Sequence, residues 1–192
     1  MSSAPPELAS VPQYFDAIAD AIRAGTYITE VANYEDFDDQ VADGAVLIEF
    51  ETAGHADTNH EGRFGHRLTV TLHCVMSRAR PRASLDAADL ALAMQRLVDN
   101  NRWGFSPRQV KAPTDIRSEP SMFKADTSGT GGYDAWGCSF EQIIHLGPVF
   151  AIDEDDIAAG APMLSPNPGD YGKDDAPDLT DPGVYRPLSC GV

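Results

Sequence analysis

Two hydrophobic periods alternate along this chain. From Pro12 onward, Phe15, Ile18 and Ile22 recur at the three-to-four spacing of one buried helix face. Pro12 suits the first turn of that helix, and Gly25 stands where a C-terminal stop belongs. Tyr27 to Val31 reads as a strand or an extended connection. The stretch from Asn33 to Gly44 carries Glu35, Asp36, Asp38, Asp39 and Asp43, and is expected to be an acidic loop or a solvated helix. Ala45 to Phe50 is a compact apolar run with β-branched residues, and so a strand. Thr52 to Gly65, with Gly54, Asp57, Asn59 and Gly62, is expected to be a polar loop.

Arg67 to Ser77 shows the clearest period of two. Leu68, Val70, Leu72, Cys74 and Met76 alternate with His73 and two threonines, which predicts a strand with one buried and one wet face. The run Arg78-Ala-Arg80-Pro81-Arg82 interrupts the pattern before a second helix. Ser84 is its expected N-cap, Asp86 and Asp89 favour the positive end of the dipole, and Arg96 lies toward the other end. Leu90, Met94, Leu97 and Val98 form its apolar stripe, and Trp103 and Phe105 are expected to plug the edge of the core. A short strand is expected between Gln109 and Ser118, ending before Pro120. The glycine-rich turn from Ser128 to Gly132 then leads into a long strand carrying Trp136, Cys138, Phe140, Gln142 and Ile144 on one face.

These elements predict an α+β fold. It has a mixed, mostly antiparallel sheet of four to five strands, two helices on one face, and an extended acidic C-terminal arm. Residues 1–11 read as an N-terminal arm, 12–150 as the folded domain, and 151–192 as an extension. That extension runs from Asp153 to Asp181 through many acids and prolines, with Lys173 and Arg186 as its basic residues. Such a composition buries too little apolar surface to offset its ordering entropy alone. It is therefore expected to be held against a neighbour, with Tyr171, Tyr185 and Leu188 as anchors.

Charge changes the picture more than composition does. The hydrophobic fraction of 42% and charged fraction of 23% are ordinary, but 30 acidic against 14 basic residues leave a formal charge of −16. That field repels phosphate backbones, so general nucleic-acid binding is not expected, whereas DNA passing through an assembly is compatible with it. Cys74, Cys138 and Cys190 match no metal pair or disulfide framework, and a reducing compartment is expected. Met-Ser-Ser-Ala-Pro-Pro shows neither a basic nor an apolar leader region, and no run approaches the roughly 18 apolar residues of a membrane span. The expectation is a protein that is cytoplasmic when made.

Candidate chemistry is sparse. No nucleophile elbow, phosphate loop or dinucleotide fingerprint is present, so neither a cofactor nor a catalytic residue is expected. His55, Asp57 and His60 supply ligand types that suit a transition metal, but their spacing matches no established set and ordinary loop residues are the preferred reading. Arg78, Arg80 and Arg82 alternate in an extended loop that Pro81 keeps out of a helix. In so acidic a chain, such a patch suits a carboxylate cluster on another copy; a solvated loop is the equal alternative, and phosphate contact with passing DNA the lesser one.

Two runs carry a family resemblance: Leu85-Asp86-Ala-Ala-Asp89-Leu90-Ala-Leu-Ala-Met94, and Tyr133-Asp-Ala-Trp136-Gly-Cys138-Ser-Phe140-Glu-Gln142. With the order of elements over residues 12–148, they resemble the tail terminator proteins of long-tailed bacteriophages and phage-derived particles. The 85–94 run is similar to the helix after the central hairpin of that family. The 133–142 run is similar to its aromatic closing strand, with Cys138 at the middle. The extension at 151–192 departs from a minimal terminator. The resemblance implies a virion protein of the tail-neck region, assembled in the host cytoplasm. It would form a hexameric ring on the head-proximal end of the tail tube, ending polymerisation and docking to the head-neck connector. Arg78, Arg80 and Arg82 would then serve subunit or tube contacts. A head-tail connector or tail-completion protein is the neighbouring alternative. A metal-dependent or ligand-binding domain using His55, Asp57 and His60 is a more distant one, as is a monomeric adaptor that takes a basic partner through the acidic extension.

Overall fold

The computed structural model describes residues 5–37, 43–121 and 132–147, and the backbone of 163–164 and 186–187. It divides the chain into two units, residues 1–149 and 150–192. The first is an α+β unit built from α1 (Val11–Gly25), β1 (Glu30–Asn33), β2 (Gly44–Ala56), β3 (Phe64–Ser77), α2 (Ala83–Val98), β4 (Thr114–Pro120) and β5 (Tyr133–Leu146). The five strands form one sheet in the order β1-β2-β3-β5-β4. Only β1 and β2 run parallel; the other neighbours are antiparallel. In the second unit, β6 (Met163–Leu164) pairs antiparallel with β7 (Arg186–Pro187). The expected anchors Tyr171, Tyr185 and Leu188, together with Cys190, lie outside the described residues.

Helix α1 starts where Ser10 accepts the amide of Gln13 at 3.4 Å, while the Gln13 side chain accepts Ala9 N–H at 2.8 Å. This is close to a capping box, with Pro12 in the first turn. Its buried face is Tyr14, Ile18, Ala19 and Ile22, so Tyr14 takes the place expected for Phe15, which is only half-buried. Each of these large side chains stabilises the fold by about 1.5–3 kcal/mol through burial, and Ile18→Ala is expected to cost about 2–5 kcal/mol. The expected arm is fastened here at Leu8. That residue is fully buried, and its amide and carbonyl both bond the side chain of Gln109, at 3.0 and 2.9 Å.

Helix α2 starts one residue before the expected cap. Arg82 takes the left-handed conformation (φ 65°), and its carbonyl accepts Leu85 and Asp86 N–H, so Ser84 already lies inside the helix. Ala83, Ala87, Leu90, Ala91, Met94 and Val98 are buried. Both helices pack against Val46, Ile48, Leu68, Val70, Leu72, Cys74, Met76, Cys138, Phe140 and Ile144, which is one face of the sheet.

The second face departs from the expectation of a wet surface on β3. Thr71, His73 and Val75 are buried, because β3 is central and its second face is also covered in part. Ala45, Leu47, Val75 and Ala135 form a small apolar cluster there, beneath Ala32, Tyr34, Phe37 and Tyr133. Tyr34 and Phe37 belong to the connection that carries the chain back from β1 to its parallel neighbour β2. A one-turn 3-10 helix at Tyr34–Asp36 opens that connection.

Two other boundaries move. Half of the expected polar loop from Thr52 to Gly65 is sheet, because β2 continues to Ala56 and β3 begins at Phe64. Thr52, Ala53, Gly54, His55 and Ala56 pair across the hairpin despite the polar composition, and 57–63 remain as a loop. The strand expected at Gln109 to Ser118 starts at Thr114 and includes Pro120, which an edge strand tolerates. Val110 contributes a single bridge to Ile144.

Candidate functional site

The arginine loop is a pair of tight turns between β3 and α2. Arg78 donates its amide to Gly132 O (2.9 Å) and its Nε to Asp134 (2.9 Å). Arg80 bonds Asp43 at 2.9 Å and lies 3.5 Å from Asp86. Arg82 is exposed, and among the described residues no carboxylate pairs with it. The triplet is thus brought together, but two of its charges already have partners within the chain. Such half-exposed pairs contribute about 0–1 kcal/mol each and can exchange partners.

At the opposite end of β3, the hairpin loop is built around Asn59. Its side-chain oxygen accepts the amides of Glu61 and Arg63, both at 3.0 Å, and its Nδ2 donates to Arg108 O at 3.0 Å. Gly62 supplies the left-handed turn (φ 79°), and Gly65 lets the loop press on β3. A Cβ on Gly65 would stand 2.4 Å from Asp57 O. Beneath the loop, Glu61 receives Arg108 at 2.9 Å and Arg63 at 3.4 Å. The Arg108 hydrogen bond, reinforced by Arg63, holds the Glu61 carboxyl below the usual range.

His55, Asp57 and His60 line one open cleft of about 430 Å³ here, together with Arg67, Lys111 and His145. The cleft gathers the metal candidates without making a coordination sphere. Among the described residues no group of three or more His, Cys, Asp or Glu side chains converges as a metal site. His55 instead stacks edge-on against Phe64, with centroids 5.0 Å apart, and the buried His145 is held between Gln109 O (3.3 Å) and Asp57 O (3.2 Å).

The sequence reading missed a hydroxyl–imidazole–carboxylate chain on the second sheet face. Ser121 Oγ lies 2.8 Å from His73 Nδ1, and His73 Nε2 lies 2.7 Å from Glu49. Tyr34 stacks over the imidazole at 4.7 Å. Period-two alternation could have placed Glu49 and His73 on the same face, since they neighbour across β2 and β3, but nothing in the sequence announces Ser121 beside them. The arrangement resembles a nucleophile with its base, yet acyl transfer also needs amide donors where an oxyanion develops. The Ser121 amide is already given to Ala135 O at 3.0 Å. The chain's hydrogen bonds tie β2 and β3 to the residue that follows β4.

Both described cysteines are buried free thiols. Burial pushes the Cys138 thiol up to about 11 and raises Cys74 further. No helix among the described residues is long and apolar enough to cross a membrane. No protein-family model matches this sequence, and no curated protein matches it either.

Proposed function

We propose that this chain is a ring-forming structural protein of the tail-terminator type, acting at the head-proximal end of a phage tail tube. One observation carries the reading. Two clusters of basic side chains, the arginine loop and the Arg67/Lys111 cleft, sit toward opposite ends of β3 on a chain whose net charge is −16. A strand of that length spans about 45 Å, so the loci are far enough apart to meet different neighbours. A closed ring of heterologous contacts requires unlike patches on opposite sides of one subunit. The order of helices and strands, with both helices on one sheet face, agrees with the resemblance carried by the 85–94 and 133–142 runs.

In this role the chain needs no cofactor or catalytic residue. Its partners are other copies of itself, the tube protein and a neck connector, with DNA as passing cargo. The test is the mass of the purified protein in solution, measured by light scattering, alone and with tail-tube protein. A ring of about six copies, or one that appears only on tube ends, is the expected result. A strict monomer that ignores the tube rejects the proposal.

A further inference from the structure

Basic side chains concentrate where β2 turns into β3. Arg63, Arg67, Arg108 and Lys111 gather at this end with His55, His60, His66 and His145. Glu61 answers Arg63 and Arg108, and Glu7 bonds Arg63 at 2.8 Å, but the cations of the cleft itself, Arg67 and Lys111, are more weakly engaged. Arg67 is about half exposed and makes one bond, to Glu141 at 3.1 Å. Lys111 Nζ reaches only the Pro107 carbonyl at 3.3 Å. The side chains of His55 and His60 make no hydrogen bond among the described residues, and Asp57 is the one carboxylate lining the cleft. The balance favours an anion over a metal cation. The cleft is open and mostly polar, unlike the enclosed apolar pockets that hold small molecules, so an extended chain fits it better.

An edge for such a chain lies alongside. β1 covers β2 only from Ala45 to Ile48, so from Glu49 to Ala56 the outer edge of β2 has no neighbouring strand among the described residues. Glu51 to His55 are exposed, and the strand ends in the cleft at His55 and Ala56. Natural edges are commonly guarded by Lys or Pro, and this stretch has neither; a bulge near Glu51 is its one irregularity. An added strand would gain main-chain hydrogen bonds from the edge and charge contacts from the cleft.

We propose that this edge and cleft receive an acidic, extended segment of a second copy of the chain. The inference rests on the ring reading and assigns one of its contact surfaces. Charge selects the occupant: every copy carries −16, and its sequence holds one run of four consecutive acids, Asp153-Glu154-Asp155-Asp156.

The test uses the full chain and a labelled wild-type peptide spanning residues 150–158, followed by fluorescence polarisation at low salt. The full chain has its own Asp153, Glu154, Asp155 and Asp156 changed to Asn and Gln, which leaves the cleft free. Saturable binding is expected, abolished when the peptide's four acids become Asn and Gln. Arg67→Glu with Lys111→Glu should weaken it by about tenfold or more, as should salt that screens exposed charges. Lys111→Glu alone, at an exposed side chain bonded only to a carbonyl, gives the same direction should the double variant not fold. No binding, or equal binding of the neutral peptide, overturns the proposal. Light scattering separates the two readings. A wild-type ring that persists unchanged in the double variant removes the cleft and keeps the ring. A wild-type monomer that ignores the tube removes the ring, and the peptide measurement then decides the cleft alone.

Discussion

The indole Nε1 of Trp103 donates to Gln142 Oε1 at 2.8 Å, inside the core. The same oxygen accepts the Tyr14 hydroxyl, and Gln142 Nε2 donates to Asn101 O (2.9 Å) and Lys111 O (2.6 Å). The amide is thus fully satisfied while only 1% exposed. One side chain on β5 fastens α1, the segment after α2 and the approach to β4.

Gln142→Leu keeps much of the volume but strands two donors and two carbonyls. The expected loss is about 3 kcal/mol or more, measured by urea unfolding with an unchanged slope. Tyr14→Phe removes one donor and should cost about 1 kcal/mol.

Arg82 holds a positive φ of 65° at the start of α2. Arg82→Gly relieves that conformation and is expected to raise stability by up to about 1 kcal/mol, whereas Arg82→Val should lower it. Arg82→Glu is the informative variant for assembly. Since no carboxylate among the described residues pairs with Arg82, this change should impair ring formation with little shift in melting temperature.

Gly65→Ala drives a Cβ into the carbonyls of Asp57 and Ala56, which are backbone atoms that cannot step aside. A loss of about 2 kcal/mol or more is expected. Faster hydrogen exchange should be confined to residues 57–66, and peptide binding at the cleft should weaken with it.

Alkaline pH should destabilise the fold through its buried acids. Burial holds the Cys138 thiol at about 11 against an ordinary 9.0, opposed in part by Ser118, and it raises Cys74 and Tyr14 as well. The folded state keeps protons that the unfolded chain releases. The Cys138 contribution is therefore complete below pH 9 and lost as pH rises through 11, on the order of 2–3 kcal/mol in all. Comparing slopes of stability against pH for wild type and Cys138→Ala isolates this thiol. A wild type with no decline from pH 9 to 11 contradicts the assignment.

The fold class was legible because the apolar periods are long and clean. Ile18, Ile22 and the Leu68–Met76 series announce their elements by spacing alone. The errors fall where tertiary context outranks local pattern. Thr52, Ala53 and Gly54 look like loop residues, and they become strand because β3 offers them a ladder. Tyr14 displaces Phe15 because its hydroxyl has Gln142 to bond across 128 residues, a relation no local window contains. The site followed the same division. The arginine triplet and the His55–His60 cluster were visible as compositions. The pairing of Arg78 with Asp134 depends on folded neighbours, as does the arrival of Arg67 and Lys111 beside those histidines.

The position of β5 has a consequence for how the protein is made. It is the last strand of its sheet to leave the ribosome, yet it lies between β3 and β4 and carries the amide that Tyr14 needs. At roughly 5–20 residues per second, the 128 residues between them take about 6–26 s to synthesise. Throughout that interval the apolar face of α1 waits without its final cover. A chain so rich in Asp and Glu repels its own copies during this wait, so the acidity that shapes the finished surface also protects the nascent one from aggregation.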